Sequence, residues 1–147
     1  MDQAALAQTE NPLFVIDLVP REAMRAVWPH VSRRLLNIAE NSHGEMTLES
    51  IARRLADKHW QLWVVSEKTN IVGCVVTEVS FADSGLKMCT IRACVGEDAT
   101  RWQHLLDEVE QWAQANGCQK INTWARKGWA RRLPEYKLTH VMLEKVL

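Results

Sequence analysis

One passage limits the fold of this 147-residue chain more than any other: an apolar, an amphipathic and a second apolar segment follow one another between residues 86 and 124. The amphipathic segment, residues 100–116, has one apolar helical stripe, which consists of Trp102, Leu105, Leu106, Val109, Trp112 and Ala113. Residues 100–103 match a capping box, and Asn116-Gly117 is typical of a left-handed helix end. Strand, helix and strand in this order predict a crossover, after which neighbouring strands lie parallel.

Three strand-like segments lead into this passage, at residues 60–66, 71–80 and 86–95, and all are rich in Val, Thr, Ile and Trp. The stretches between them, residues 67–70 and 81–85, have the composition of turns. Connections this short cannot hold a crossover helix. The three strands should therefore form an antiparallel meander.

The chain before residue 60 predicts an arm, a strand and a helix. Residues 1–12 are polar and aperiodic, so we expect a flexible arm ahead of one domain at residues 13–147. Residues 13–19 form a short buried-strand pattern that Pro20 halts. The apolar face of the helix that follows consists of Met24, Val27, Trp28, Val31, Leu35 and Ile38. Pro29 inside this period predicts a kink or two abutting helices.

The remaining elements complete an α/β fold. Thr47 is placed to cap a second helix, whose inner face holds Leu48, Ile51, Ala52 and Leu55. Residues 118–124 alternate as a strand, 128–133 predict a short helix ending at Pro134, and 138–146 predict a final strand. The expected architecture is a mixed sheet, first an antiparallel meander and then a parallel crossover, with helices on both faces.

Charge and composition argue against several function classes. Lys and Arg number 18 and balance 18 Asp and Glu, so no net field attracts nucleic acid or anionic lipid. The longest apolar runs, such as residues 71–76, are far shorter than the ~20 residues of a membrane span, and a secretory signal pattern is absent. The four cysteines form no CxxC pair, and we expect reduced thiols of a cytoplasmic protein without a metal.

Short motifs in the last third of the chain carry a family resemblance. They are Glu110-Gln111-Trp112-Ala113, Gly117-Cys118, Ala125-Arg126-Lys127-Gly128-Trp129, Tyr136 and Leu143-Glu144-Lys145. Together with the element order, they resemble the GCN5-related N-acetyltransferases (GNAT), and in particular GNAT-like proteins encoded by phages and prophages. The resemblance covers residues 13–147 and implies the mixed sheet of that superfamily.

The same resemblance implies acetyl-CoA as the cofactor. In this superfamily the pyrophosphate lies at the start of the long helix, where unpaired N–H groups and the helix dipole attract anions. The pantetheine arm lies between two parallel strands that part from each other. The positions that would bind the cofactor are Ile91, Ala93, Cys94, Gly96, Ala99, Thr100, Arg101, Asn122 and Arg126. Trp102 and Trp124 could instead fill the space between the strands.

Two residues are candidates for the proton transfers of the implied reaction. Glu78, on the second meander strand, is the candidate general base for the acceptor amine; the alternative is that it faces solvent or pairs with an Arg. The superfamily's general acid, which protonates the CoA thiolate, is usually a Tyr, and Tyr136 is the only tyrosine in the chain. Its alternative is a structural position before the final strand.

The loop at the helix start departs from the superfamily pattern, because residues 96–101 hold a single glycine and two carboxylates, Glu97 and Asp98. Two functions therefore remain open. One is an N-acetyltransferase for a small-molecule or protein amine. The other is a GNAT-fold protein without activity that binds phage or virion proteins, in the bacterial cytoplasm or in the virion. A basic cluster that could bind the 3′-phosphate of CoA or a nucleic-acid backbone consists of Arg126, Lys127, Arg131 and Arg132.

Overall fold

The computed structural model describes residues 13–57, 60–97, 99–125 and 129–147. The predicted arm at residues 1–12 lies outside this part of the chain. The described residues form one five-stranded sheet with helices on both faces.

The sheet confirms the predicted change from antiparallel to parallel strands. Its strands are β1 (Phe14–Leu18), β2 (Trp60–Glu67), β3 (Asn70–Phe81), β4 (Lys87–Gly96) and β5 (Lys120–Thr123). They lie side by side in chain order. The first three pairings are antiparallel, and β4 pairs with β5 in parallel.

The helices are α1 (Met24–Glu40), α2 (Leu48–Ala56), α3 (Ala99–Trp102), α4 (Leu106–Ala115) and α5 (Trp129–Arg132). Pro29 lies inside α1, which continues as one element, so two abutting helices do not form. Burial of Val31 and Leu35 holds the helix together beyond the proline. Thr47 caps α2 as expected, in a reciprocal capping box with Ser50.

The predicted long helix at residues 100–116 is divided. A 3₁₀ turn, Gln103–Leu105, separates α3 from α4. The predicted capping box is wrong, because the helical part begins at Ala99 and places Thr100 inside α3. The division follows from Trp102, whose fully buried indole donates to the Glu97 carbonyl and fixes the first turn separately from α4.

The predicted final strand is also wrong. Residues 137–147 form neither helix nor strand, and each of them is exposed. A strand needs a partner for its backbone hydrogen bonds, and residues 137–147 make no backbone hydrogen bond with the described part of the chain.

The two faces of the sheet bury separate cores. One face packs against α1 and α2, with Val31, Leu35 and Leu62 at its centre. The opposite face packs against α4, with Trp63 and Trp102 at its centre. All four cysteines are free thiols. Among the helices of the described residues, none has the length and apolar character needed to cross a membrane.

Candidate functional site

Strands β4 and β5 stay together over only part of their length. Their register runs from Met88 opposite Lys120 to Ile91 opposite Thr123. Beyond Ile91, β4 continues to Gly96 while paired with β3 on its other side. The last five residues of β4 therefore have one edge without a β5 partner, and the two strands leave a gap there.

A β-bulge in β4 marks the point of separation. On β3, neighbouring residues Val76 and Thr77 lie opposite Ala93 and Ile91, so Arg92 is one residue in excess. The carbonyl of Ile91 accepts a hydrogen bond from the Thr123 hydroxyl at 3.0 Å, and so faces β5.

The bulge also reverses which backbone groups face the gap. The N–H of Glu97 donates to the Val72 carbonyl at 3.0 Å, so Glu97 faces β3. Backbone groups of alternate residues point to the same side of a strand, which turns Val95 and Ala93 toward β3 as well. The N–H and C=O of Cys94 consequently face the gap, where an extended ligand could bind them.

The gap is a cavity of about 300 Å³, open to solvent. It is lined by Ile91, Arg92, Ala93, Cys94, Leu106, Thr123, Trp124, Ala125, Trp129 and Leu133. Trp124 is 66% exposed beside the cavity. Trp102 is fully buried in the core under α4 and is not part of the lining. Neither tryptophan fills the gap.

Glu78 lies on the sheet face that packs against α1 and α2, opposite Thr90 of β4. Its carboxylate accepts a hydrogen bond from the indole of Trp60, which lies directly opposite it on β2. The Arg92 guanidinium is stacked 5.1 Å from the centre of the Trp60 ring. Because Arg92 also lines the gap, these three side chains connect Glu78 to the cavity wall.

The turn that precedes α3 is tied to other parts of the molecule. The guanidinium of Arg34, on α1, donates to both carboxylate oxygens of Glu97 at 2.8 Å. These hydrogen bonds lower the pKa of Glu97. The guanidinium of Arg101 lies at β1 and β2, 4.9 Å from the centre of the Phe14 ring and 4.0 Å from the Glu67 carboxylate.

Trp102 fills the space next to this turn. A Cβ added at Gly73 would lie 2.7 Å from the indole of Trp102, and one added at Gly96 would lie 3.0 Å from it. Glycine at both positions is what lets the ring pack against β3 and β4. The single glycine of the predicted phosphate loop therefore makes room for a tryptophan.

Tyr136 lies against α4. Its hydroxyl donates to the Glu110 carboxylate at 2.7 Å, and burial together with this carboxylate raises the pKa of Tyr136. The residue lines a second cavity of about 300 Å³, which shares Leu106 and Leu133 with the first. Tyr136 itself is not on the lining of the β4–β5 gap.

The structure brings part of the predicted cofactor site together. Ile91, Ala93 and Cys94 line the gap. The predicted positions outside its lining are Gly96, Ala99, Thr100, Arg101 and Asn122. Thr100 lines the second cavity instead, Ala99 packs against the core under α4, and Asn122 accepts a hydrogen bond from Thr90 at 2.7 Å. Arg126 lies outside the described residues.

Sequence reasoning missed Arg92, Thr123 and the packing of Trp60 on Arg92. A signal for the first was present, because an arginine interrupts the apolar segment that forms a strand in the middle of the sheet. A charge in such a strand is expected only where the strand is irregular or borders a site. Nothing in the sequence indicates the hydrogen bond that Thr123 donates to Ile91.

No protein-family model matches the chain, and a search of curated proteins finds no match. Solved structures do match. An aminoglycoside acetyltransferase, meta-AAC0020, from an uncultured soil metagenomic sample, solved with sisomicin, has a TM-score of 0.68 at 14% identity, covering 93% of this chain and 98% of that one.

Two further structures agree with it. A ribosomal-protein-alanine N-acetyltransferase from Brucella melitensis has a TM-score of 0.62 at 15% identity, covering 91% of this chain and 97% of that one. A GNAT family acetyltransferase from Staphylococcus aureus has a TM-score of 0.60 at 12% identity, covering 91% and 98%. The chain has the fold of GNAT acetyltransferases.

Proposed function

We propose that this protein is an N-acetyltransferase that binds acetyl-CoA in the β4–β5 gap and transfers the acetyl group to an amine. The observation that carries the proposal is the parting of the two strands at Ile91 and Thr123, with an open cavity between them. The structural neighbours described above are acetyltransferases with the same fold.

The gap suits the pantetheine arm, which is slender, apolar and interrupted by amides. Its wall combines apolar side chains such as Leu106 and Trp129 with the free backbone edge of Cys94. Small-molecule sites typically pair an apolar lining with a few fixed hydrogen-bonding groups. The backbone N–H and C=O of Cys94 would bind the amides as a neighbouring strand does.

Acetyl-CoA, when bound, supplies an activated thioester. The acceptor nitrogen attacks the thioester carbonyl, the C–S bond breaks as the N–C bond forms, and the CoA thiolate leaves. The amine proton goes to a base and the thiolate takes up a proton. In this proposal Glu78 accepts the amine proton, because its carboxylate is connected to the cavity wall through Trp60 and Arg92.

The two remaining assignments are part of the same proposal. Tyr136 is the candidate general acid, and it would have to release its hydrogen bond to Glu110 to protonate the thiolate. Gly96, Ala99, Thr100, Arg101, Asn122 and Arg126 are the candidates for the rest of the cofactor. Arg101 would have to leave Phe14 to reach a phosphate.

One observation favours the second candidate function, a GNAT-fold protein without activity. The turn that would hold the pyrophosphate has its glycine under Trp102 and its carboxylate Glu97 fixed by Arg34. A negative charge at this place opposes phosphate binding. In that case the protein binds other proteins and catalyses no reaction. The sequence resemblance suggests that its partners are phage or virion proteins.

Cofactor binding separates the two candidates. We expect acetyl-CoA at 100 times its dissociation constant to stabilise the protein by ~2.7 kcal/mol in thermal unfolding. Ala125→Trp places a large ring at an exposed position on the lining and should abolish this shift. Ala115→Trp, at an exposed position of α4, is the matched control and should keep it. No shift at millimolar acetyl-CoA would favour the GNAT-fold protein without activity.

Glu78 is tested by kinetics with amine acceptors. A panel with an aminoglycoside and an N-terminal alanine peptide follows from the substrates named for the neighbours. Glu78→Gln should lower kcat by about 10²–10⁴-fold while leaving acetyl-CoA binding unchanged. Glu108→Gln, on the exposed face of α4, should leave both unchanged. A full rate for Glu78→Gln at every pH would remove Glu78 from the mechanism.

A further inference from the structure

Among the described residues that line the β4–β5 gap, Arg92 is the one with a charged side chain. An arginine is rarely placed on an otherwise apolar wall without an anion to pair with it. The salt bridges of the described residues join Arg34 to Glu97 and Arg101 to Glu67, and neither of them includes Arg92. Within that part of the chain, the charge on the cavity wall therefore has no carboxylate partner.

The guanidinium of Arg92 is held in place by an aromatic ring. It lies over Trp60, 5.1 Å from the ring centre, and Trp60 is buried in the core against α1 and α2. In this position the N–H groups at the rim of the guanidinium remain available to an acceptor. A fixed, planar set of donors of this kind matches the two oxygens of a carboxylate.

Trp60 also places Arg92 close to Glu78. The indole N–H donates to the Glu78 carboxylate, while the face of the same ring lies under the Arg92 guanidinium. A carboxylate and a cation therefore lie against a single side chain, on the sheet face that packs against α1 and α2. One small acceptor molecule can contact both charges, with its amine near Glu78 and a second group near Arg92.

The positive charge of Arg92 determines what that second group is. An aliphatic amine is protonated at neutral pH and reaches the site as an ammonium ion. A guanidinium repels an ammonium ion that carries no other charge, and the repulsion is stronger beside an apolar wall than in water. A carboxylate on the same acceptor offsets this repulsion and pairs with the guanidinium through charge-assisted hydrogen bonds. The wall therefore favours an acceptor with both an amine and a carboxylate.

We propose that the acceptor is a free amino acid, whose carboxylate binds the Arg92 guanidinium while its amine faces Glu78. This inference rests on the proposed transferase function and adds a substrate class to it. The amine nitrogen forms the new N–C bond, the C–S bond of acetyl-CoA breaks, the amine proton goes to Glu78, and the thiolate leaves and takes up a proton. The products are an N-acetyl amino acid and CoA, and Arg92 is the residue that determines specificity.

Steady-state kinetics with paired acceptors test the proposal. Each pair consists of a standard amino acid and its carboxamide, such as glycine and glycinamide, so that the members differ in the carboxylate alone. We expect the natural chain to prefer the amino acid. Arg92→Gln should lower kcat/KM by about 10–100-fold with the amino acid and by less than about threefold with the carboxamide. Arg25→Gln, at an exposed position of α1, is the matched control and should change neither value.

Two further readouts separate specificity from packing. Arg92→Lys keeps the charge without the planar donors and should retain part of the preference for the amino acid. If Arg92 only packs on Trp60, Arg92→Gln lowers the rate equally with both members of a pair, and that result overturns the proposal.

Thermal unfolding with acetyl-CoA keeps this test apart from the test of the proposed function. No stabilisation by acetyl-CoA refutes the transferase and the amino acid together. Stabilisation without a preference for any amino acid over its carboxamide refutes the amino acid alone. Turnover of phosphoethanolamine but of no amino acid would assign Arg92 to a phosphate and overturn the carboxylate.

Discussion

 The free edge beside Ile91 is open, because the strands diverge through their backbones and leave about 300 Å³ between them. The turn after Gly96 is closed, because Trp102 packs against Gly73 and Gly96 and is fully buried. The backbone creates the space in the gap. The space at the turn is filled by the side chain of Trp102.

This contrast shows that the gap and the turn depend on different features of the chain. Strand divergence requires only the bulge at Arg92 and the early end of β5. Phosphate binding requires free N–H groups, room for the ligand and the absence of competing anions at one turn. Here Glu97 occupies that turn and is bound by Arg34.

The largest expected effect is at the closed turn. Trp102→Ala should lower the free energy of unfolding by about 3–5 kcal/mol, because it empties a large buried volume and removes the hydrogen bond to the Glu97 carbonyl. Trp124→Ala makes the same change at the open gap, where the ring is 66% exposed, and should cost less than about 1 kcal/mol. Urea unfolding measures both. Equal losses of unfolding free energy in the two variants would show that the turn and the gap do not differ in packing.

A smaller effect is expected at the glycine beneath the ring. A Cβ at Gly96 would meet backbone atoms of Val72 and Gly73, so Gly96→Ala should destabilise the protein by about 1–3 kcal/mol. Gly85→Ala is the control, since it meets no atom within 4 Å and costs about 1 kcal/mol through its positive φ of 87° alone. Thermal unfolding ranks the two. A Gly96→Ala variant as stable as the natural chain would mean that the turn has room.

The smallest effect concerns the ion pair at the turn. Arg34 lowers the pKa of Glu97, so the carboxylate stabilises the fold above its unfolded pKa of about 4.3 and loses this contribution as the pH falls through the folded pKa. Glu97→Gln should cost less than about 1 kcal/mol at neutral pH, because the pair is largely exposed and screened by solvent.

The pH dependence provides the check on that prediction. The difference between Glu97→Gln and the natural chain should shrink in acid, where the natural carboxyl is protonated as well. Glu45→Gln changes an exposed carboxyl after α1 and is the matched control. A difference that persists unchanged in acid would show that the ion pair with Arg34 is not its cause.

Much of the fold could be predicted from local patterns. The Val, Thr, Ile and Trp content of β2, β3 and β4 and the short turns between them are sufficient to predict the meander, and Asn116-Gly117 predicts the end of α4. Of the residues predicted for the cofactor, Ile91, Ala93 and Cys94 line the gap, because their place follows from their position along a strand. The place of Arg101, which packs on Phe14, depends on residues far away in the chain.

Local patterns are sufficient to predict the order of β1 to β5 and of the helices between them, because hydrophobic period and turn residues act over a few neighbouring positions. Three features depend instead on packing between distant residues: Trp102 fills the turn, Arg92 forms a bulge in β4, and residues 137–147 form no strand. Each of these depends on what lies opposite in space. A strand pattern in the sequence indicates that a partner edge is needed, but it does not specify which strand supplies that edge.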